Sequence, residues 1–193
     1  MENTKHTPAE LIRNNLDLIL AEQSRLTKQL NFADVAGVIP YLHSAARIFV
    51  AGAGRSGFAM RSAAMRLMHF GLTVYVVGET TTPAIQTGDL LFIASGSGTT
   101  GSMVSAAERA SKVGAKVVAL STTTDSPLAA LSDYLLLIPA AQKQDHAHII
   151  SKQYAGSLFE QSLLLITDAI FQTMWDLDGT PAPELWKRHA NLE

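Results

Sequence analysis

Two loops in this sequence could hold an anion. Gly52-Ala53-Gly54-Arg55-Ser56-Gly57 and Ser95-Gly96-Ser97-Gly98-Thr99-Thr100-Gly101 each follow an apolar, strand-like run and precede a helical one. Such loops bring backbone N–H groups and the positive end of a helix dipole onto phosphate oxygens, and glycine permits the close approach. A monophosphate needs several donors converging on one group. The second loop offers the hydroxyls of Ser95, Ser97, Thr99 and Thr100, and the first places Arg55 and Ser56 beside Gly54 at a helix start. A phosphorylated small molecule is the first ligand to consider.

The same residues admit a competitor. The first loop fits G-x-G-x-x-G, and Glu79 follows the second apolar run about 20 residues on, where a dinucleotide site keeps its ribose acid. A pyrophosphate is held mostly by backbone, so the hydroxyl density of the second loop favours a sugar phosphate over a nicotinamide cofactor. No G-x-x-x-x-G-K-[ST] run is present, which disfavours a P-loop nucleotidase. For proton transfer the candidate is Glu160, in Gly156-Ser157-Leu158-Phe159-Glu160-Gln161, where a helix start favours its charge and apolar neighbours oppose it. An arbitrary glutamate is more often an exposed helix-start residue. His69 ends the helix that the first loop begins; there it complements the dipole or serves as a proton donor or substrate ligand. Asp145-His146-Ala147-His148 fits no metal-ligand spacing and reads as a solvated loop, so no metal and no cofactor are assigned.

Elements of regular spacing must position these groups. Thr7-Pro8 reads as a helix cap and first position, and the helix extends to about Leu30. Its stripe Ile12, Leu16, Ile19, Leu26 and Leu30, interrupted by Gln23, suits packing on the protein's own core or on another subunit. A second helix is expected over Asp34–Ser44. Five short apolar runs follow, Arg47–Ala51, Thr73–Val77, Leu90–Ala94, Lys116–Ser121 and Tyr134–Ile138, each of the kind buried on both faces of a parallel sheet. Helical patterns separate them at Ser56–Phe70, Gly101–Val113 and Pro127–Leu131. A long helix, roughly Ala155–Leu177, stops at Gly179 before a short tail. This rhythm predicts one α/β domain over residues 1–193: helices over 1–45, a five-stranded parallel βαβ core over 46–140 in a flavodoxin-like three-layer sandwich, and a closing helix and tail over 155–193. Both glycine loops then fall at the carboxyl edge of the sheet.

Composition narrows the classes. The chain has 193 residues, of which 47% are hydrophobic, with no cysteine and a formal net charge of -2. That is enough for one well-filled core, excludes thiol chemistry, and gives no basic footprint for nucleic acid. Met1-Glu2-Asn3-Thr4-Lys5 has no apolar leader, and no run reaches the roughly 18 apolar residues of a membrane span. A cytoplasmic protein is the expectation.

With both loops, Glu160 and His69 in view, the chain resembles the sugar isomerase (SIS) domain family, and within it closely resembles the 6-phospho-3-hexuloisomerase family. The resemblance covers nearly the whole length. Both loops and Asp125-Ser126-Pro127-Leu128-Ala129 carry its generic part. Arg66-Leu67-Met68-His69-Phe70-Gly71, Val77-Gly78-Glu79-Thr80-Thr81-Thr82-Pro83, Gly156 to Gln161 and Arg188-His189-Ala190-Asn191-Leu192 carry its specific part.

The resemblance implies cofactor-free interconversion of D-arabino-3-hexulose 6-phosphate and fructose 6-phosphate through an enediol, the step after formaldehyde fixation in the ribulose monophosphate pathway. It maps phosphate contacts onto Ser56, Ser95, Ser97 and Thr100, and the catalytic base onto Glu160. It also implies an assisting histidine, His69, supplied by a neighbouring subunit of a dimer or tetramer, and turns Glu79 into part of a loop over the sugar. Gly101, where related chains often carry an acid, and Tyr154-Ala155, in place of Pro-Met, depart from the family pattern and bear on the shape of the sugar pocket. Two alternatives share the loops: an isomerase of arabinose 5-phosphate or a heptose phosphate, and a non-catalytic module that senses sugar phosphates.

Overall fold

The computed structural model describes residues 6–145 and 149–192. Met1 to Lys5 and His146 to His148, which figure in the leader and metal readings above, lie outside the described residues. Helix α1 spans Pro8–Thr27. Thr7 caps it reciprocally with Glu10, each side chain accepting the other's backbone N–H, and Pro8 takes the first position, where no N–H is needed.

The single helix expected over Asp34–Ser44 is two, α2 over Phe32–Ala36 and α3 over Ile39–Ser44. Gly37 ends the first. It also sits where a Cβ would stand 2.1 Å from the Tyr134 hydroxyl, so the chain passes close under that ring. Pro40 suits the first turn of the second but cannot continue a helix from upstream.

The strands are β1 Ile48–Gly52, β2 Val74–Val76, β3 Leu90–Ala94, β4 Lys116–Ser121 and β5 Tyr134–Leu137. All four pairings are parallel, in the order β2-β1-β3-β4-β5. Helices α4 Gly54–Phe70, α5 Gly101–Lys112 and α6 Pro127–Leu131 connect them. The long helix α7, Ser157–Asp178, follows β5, and a short α8, Ala182–Trp186, stands where only a tail was expected. The five-stranded parallel sheet flanked by helices, α/β in class, agrees with the expected sandwich.

Alternation along the strands sends side chains to two cores. Val50, Phe92, Leu120 and Leu136 meet α4 and α7 on one face, and Phe49, Leu91, Ile93 and Ala119 meet α5 and α6 on the other. The three central strands are buried along almost their whole length, as their unbroken apolar runs require. The edge strand β2 is only half-buried, a departure from the expectation for Thr73–Val77, because it has a neighbour on one side alone.

Between β1 and β3 the strand order reverses, so the chain leaves their carboxyl ends toward opposite faces and opens a crevice there. Both glycine loops border that crevice. No described helix is long and apolar enough to cross a membrane.

Candidate active site

The first loop turns from β1 into α4. Gly54 has a φ of 58°, which disfavours any residue with a Cβ. Gly52 and Gly57 let helix and strand touch: a Cβ on residue 57 would stand 2.6 Å from the Gly52 carbonyl oxygen. The second loop turns from β3 into α5. Gly98, at φ 64°, packs under the Ser126 side chain, and Ser95 and Thr100 pair their hydroxyls at 3.1 Å. Ser97 Oγ accepts from the backbone N–H and the hydroxyl of Thr99, which faces solvent.

These turns enclose a cavity of about 150 Å³ lined by Gly54, Ser56, Ser95, Ser97 and Thr100, with Gln142, Lys143, Gly156 and Phe159 opposite. That is about five times a water's share of liquid volume, and below the roughly 300 Å³ at which pockets for larger ligands begin. It suits a phosphate and its first carbons better than a dinucleotide. Helices α1, α2 and α6 begin with a side chain capping their first turn and α3, α7 and α8 do not; nor do α4 and α5, whose N-termini border the cavity. Their first-turn N–H groups and the positive ends of both helices are thereby turned to an anion.

Glu160 lies in the first turn of α7 and is 7% exposed. Arg55 Nε stands 2.9 Å from its Oε2, and Lys143 Nζ 3.8 Å from its Oε1. Phe159, the preceding residue, faces the cavity, its ring resting where Gly96 leaves room: a Cβ there would be 3.3 Å away. Glu160 does not itself line this cavity: with Arg55, Phe58 and Gln161 it lines a neighbouring groove, and Phe159 and Lys143 connect it to the cavity wall. A base next to a cradle is the geometry that proton abstraction from a bound sugar phosphate requires.

The turn that carries Glu160 is fastened to α1. Glu22, buried, accepts from Ser151 Oγ at 2.6 Å, Lys152 N at 2.7 Å and Gln153 Nε2 at 3.0 Å. Burial pushes its carboxyl upward, but these hydrogen bonds and the Arg25 charge outweigh that and hold it below the ordinary glutamate value. Gln23 donates to Gln161 Oε1 and accepts from Ser162 Oγ, and Gln161 in turn donates to Gln153 Oε1 at 2.8 Å. Ala155, just before the helix, is held at φ 50°, a strained conformation for a residue with a side chain. In the sequence Gln23 is only a polar break in an apolar stripe, and nothing in the local pattern marks Glu22 or Lys143.

Other expected site residues stand elsewhere. Glu79 is half-exposed, pairs with Arg61, and does not line the cavity. His69 ends α4, about 22 Å along the axis from Gly54 at 1.5 Å per residue. It is 6% exposed and stacks on His189, ring centroids 3.8 Å apart, while Arg188 donates to its carbonyl oxygen. Burial, with His189 and Arg66 nearby, lowers its pKa, so the ring is neutral at pH 7. Within one chain His69 and Glu160 are not brought together. Among the described residues no group of three His, Cys, Asp or Glu side chains could hold a metal ion.

Residues 41–165 match the SIS domain. A curated 3-hexulose-6-phosphate isomerase from Mycobacterium gastri is 56% identical over 182 residues, 94% of this chain and 92% of that protein. Its counterpart from Bacillus subtilis (strain 168) is 40% identical over 154 residues, 79% and 83% of the two chains. A hypothetical protein from Methanococcus jannaschii, whose crystal structure is described as inferring a 3-hexulose-6-phosphate isomerase function, superposes with a TM-score of 0.81 at 29% identity, covering 93% of this chain and 99% of that one. The chain therefore belongs to the SIS domain family, with 3-hexulose-6-phosphate isomerases among its near relatives.

Proposed function

We propose that this protein is a 6-phospho-3-hexuloisomerase, interconverting D-arabino-3-hexulose 6-phosphate and fructose 6-phosphate without a cofactor. The observation that carries the reading is the placement of Glu160 beside the phosphate-sized cavity. The phosphate is held by the α4 and α5 N-termini and by Ser56, Ser95, Ser97 and Thr100, which fixes the open-chain sugar with its C2 hydrogen toward Glu160. Glu160 takes the C2 proton, and the electron pair forms the C2–C3 double bond as the C3 carbonyl becomes an enediolate oxygen. Arg55, 2.9 Å from Glu160, is placed to donate to that oxygen. Return of the proton from Glu160 to C3, with the O2 proton passing to the enediolate oxygen on C3, gives the 2-ketose.

Glu79 and Thr99 belong to this reading as loop residues at the rim, and His69 enters it only from a second copy of the chain. A homo-oligomer, dimer or tetramer, is supported by α1, where Leu11, Ile12, Leu16 and Leu20 are exposed along the helix. The enzyme acts in the cytoplasm, where phosphorylated sugars are retained. Purified protein supplied with 3-hexulose 6-phosphate, made in situ from formaldehyde and ribulose 5-phosphate by a synthase, yields fructose 6-phosphate in a coupled assay. Failure to form product from this sugar, with arabinose 5-phosphate turned over instead, overturns the substrate assignment.

A further inference from the structure

A phosphate monoester carries a charge of about −1.5 to −2 at pH 7. Against it the cradle sets hydroxyls, which carry none, and two helix N-termini, each equivalent to about +0.5. The N-terminus of α7 also borders the cavity, but Glu160 in its first turn already answers that dipole. About half to one negative charge is left without a counterpart. Among the described residues that line the cavity, Lys143 is the one cation. Arg55 instead lines the neighbouring groove and pairs with Glu160.

Lys143 is also placed to move. Its stem lies on Gly156, where a Cβ would stand 3.2 Å from its Cγ and 3.5 Å from its Cε, so the absence of a side chain at 156 gives the stem its track. From that track the ammonium stands 3.8 Å from Glu160 Oε1 while the residue faces the cavity. At 60% exposure the side chain is not locked there. A lysine is a flexible point charge with three rotatable donors, suited to exchanging one oxyanion for another.

We propose that Lys143 is a ligand of the substrate phosphate, and that its ammonium passes from Glu160 to that phosphate when the sugar binds, relieving the base of one of its two cations. This rests on the sugar-phosphate reading above and extends it: the same charge that anchors the phosphate reports its arrival to the base.

The test titrates inorganic phosphate into the full-length protein by calorimetry, and measures KM and kcat with 3-hexulose 6-phosphate, for the wild type, Lys143→Gln and Lys143→Arg. Loss of the charge weakens phosphate binding and raises KM by about ten-fold, the scale of one charge-assisted hydrogen bond. The arginine variant restores phosphate affinity to within about three-fold of wild type, since the positive charge is retained. A Lys143→Gln protein that binds phosphate as tightly as the wild type overturns the inference. A wild type that binds phosphate through Lys143 but does not isomerise the hexulose phosphate upholds it and overturns the substrate reading, and a wild type that binds no phosphate overturns both.

Discussion

Gln23 Nε2, on α1, stands 3.0 Å from Oε1 of Gln161, the residue that follows Glu160 on α7. With Glu22 gripping residues 151 to 153 from the adjacent position on α1, the N-terminal helix holds both the turn before α7 and its first turn. Glu160 is therefore set in place by a segment more than a hundred residues earlier in the chain, and that segment's opposite end carries the exposed residues Leu11, Ile12, Leu16 and Leu20.

Replacing Glu160 by glutamine removes the base but keeps the shape of the turn. Turnover falls by about 10²- to 10⁴-fold, the usual contribution of a positioned general base. Phosphate affinity changes little, because the cradle is built from other residues. The coupled assay and a phosphate titration read the two effects separately, and near-normal kcat in this variant would show that another group takes the proton.

Glu22→Gln tests the clamp. The folded-state pKa of Glu22 lies below its ordinary value, so its contribution to stability is present above the unfolded pKa and is lost as pH falls through the folded one. The variant is less stable than wild type at pH 7 by about 1–3 kcal/mol, the cost of disturbing a buried charge-assisted network. That gap holds above the ordinary glutamate value of 4.5 and narrows as pH falls from there toward the lower folded one. Urea unfolding at a series of pH values measures it, and a gap independent of pH down to 3 would exclude the ionised carboxylate as its source.

Gly98→Ala strikes the second loop. The residue sits at φ 64°, and the new methyl would stand 2.1 Å from Ser126 Oγ, the cap of α6. Left-handed strain and the clash together cost about 1–3 kcal/mol. A lowered Tm accompanied by weaker phosphate binding is the expected result; an unchanged phosphate affinity would detach this turn from the cradle.

His69 is tested by complementation. His69→Asn and Glu160→Gln proteins, each inactive alone, regain activity when co-expressed, because a mixed oligomer contains a site with one intact residue from each chain. For random two-fold pairing the recovery approaches about a quarter of wild type. No recovery, with mixed oligomers demonstrated by tagged pull-down, would confine His69 to its place under His189.

The two glycine loops were legible because their sequence answers local backbone demands: a positive φ at Gly54 and at Gly98, and a helix touching a strand at Gly52 and Gly57. The strands were legible for a similar reason, since burial on both faces leaves an unbroken apolar run. Lys143 and Glu22 were not, because their partners lie 17 and about 130 residues away and no periodicity encodes a long-range polar contact. The break between α2 and α3 is local: Gly37 and Pro40 carry it, although the close approach of Tyr134 to Gly37 is not visible in the sequence. The stripe from Ile12 to Leu30 could be seen as a stripe, but not that it divides: Leu26 and Leu30 meet the core, while Ile12 and Leu16 are exposed.

The crevice between β1 and β3 divides the work of recognition by chain segment. The cavity takes its hydroxyls from residues 56 to 100 and its opposite wall from residues 141 to 159. Substitutions in the later segment, Lys143 aside, can thus retune which carbon skeleton is accepted while the hydroxyls of the earlier one stay in place. In such an arrangement new substrates arise by drift at one wall of a shared socket, with every intermediate sequence still able to grip a phosphorylated metabolite.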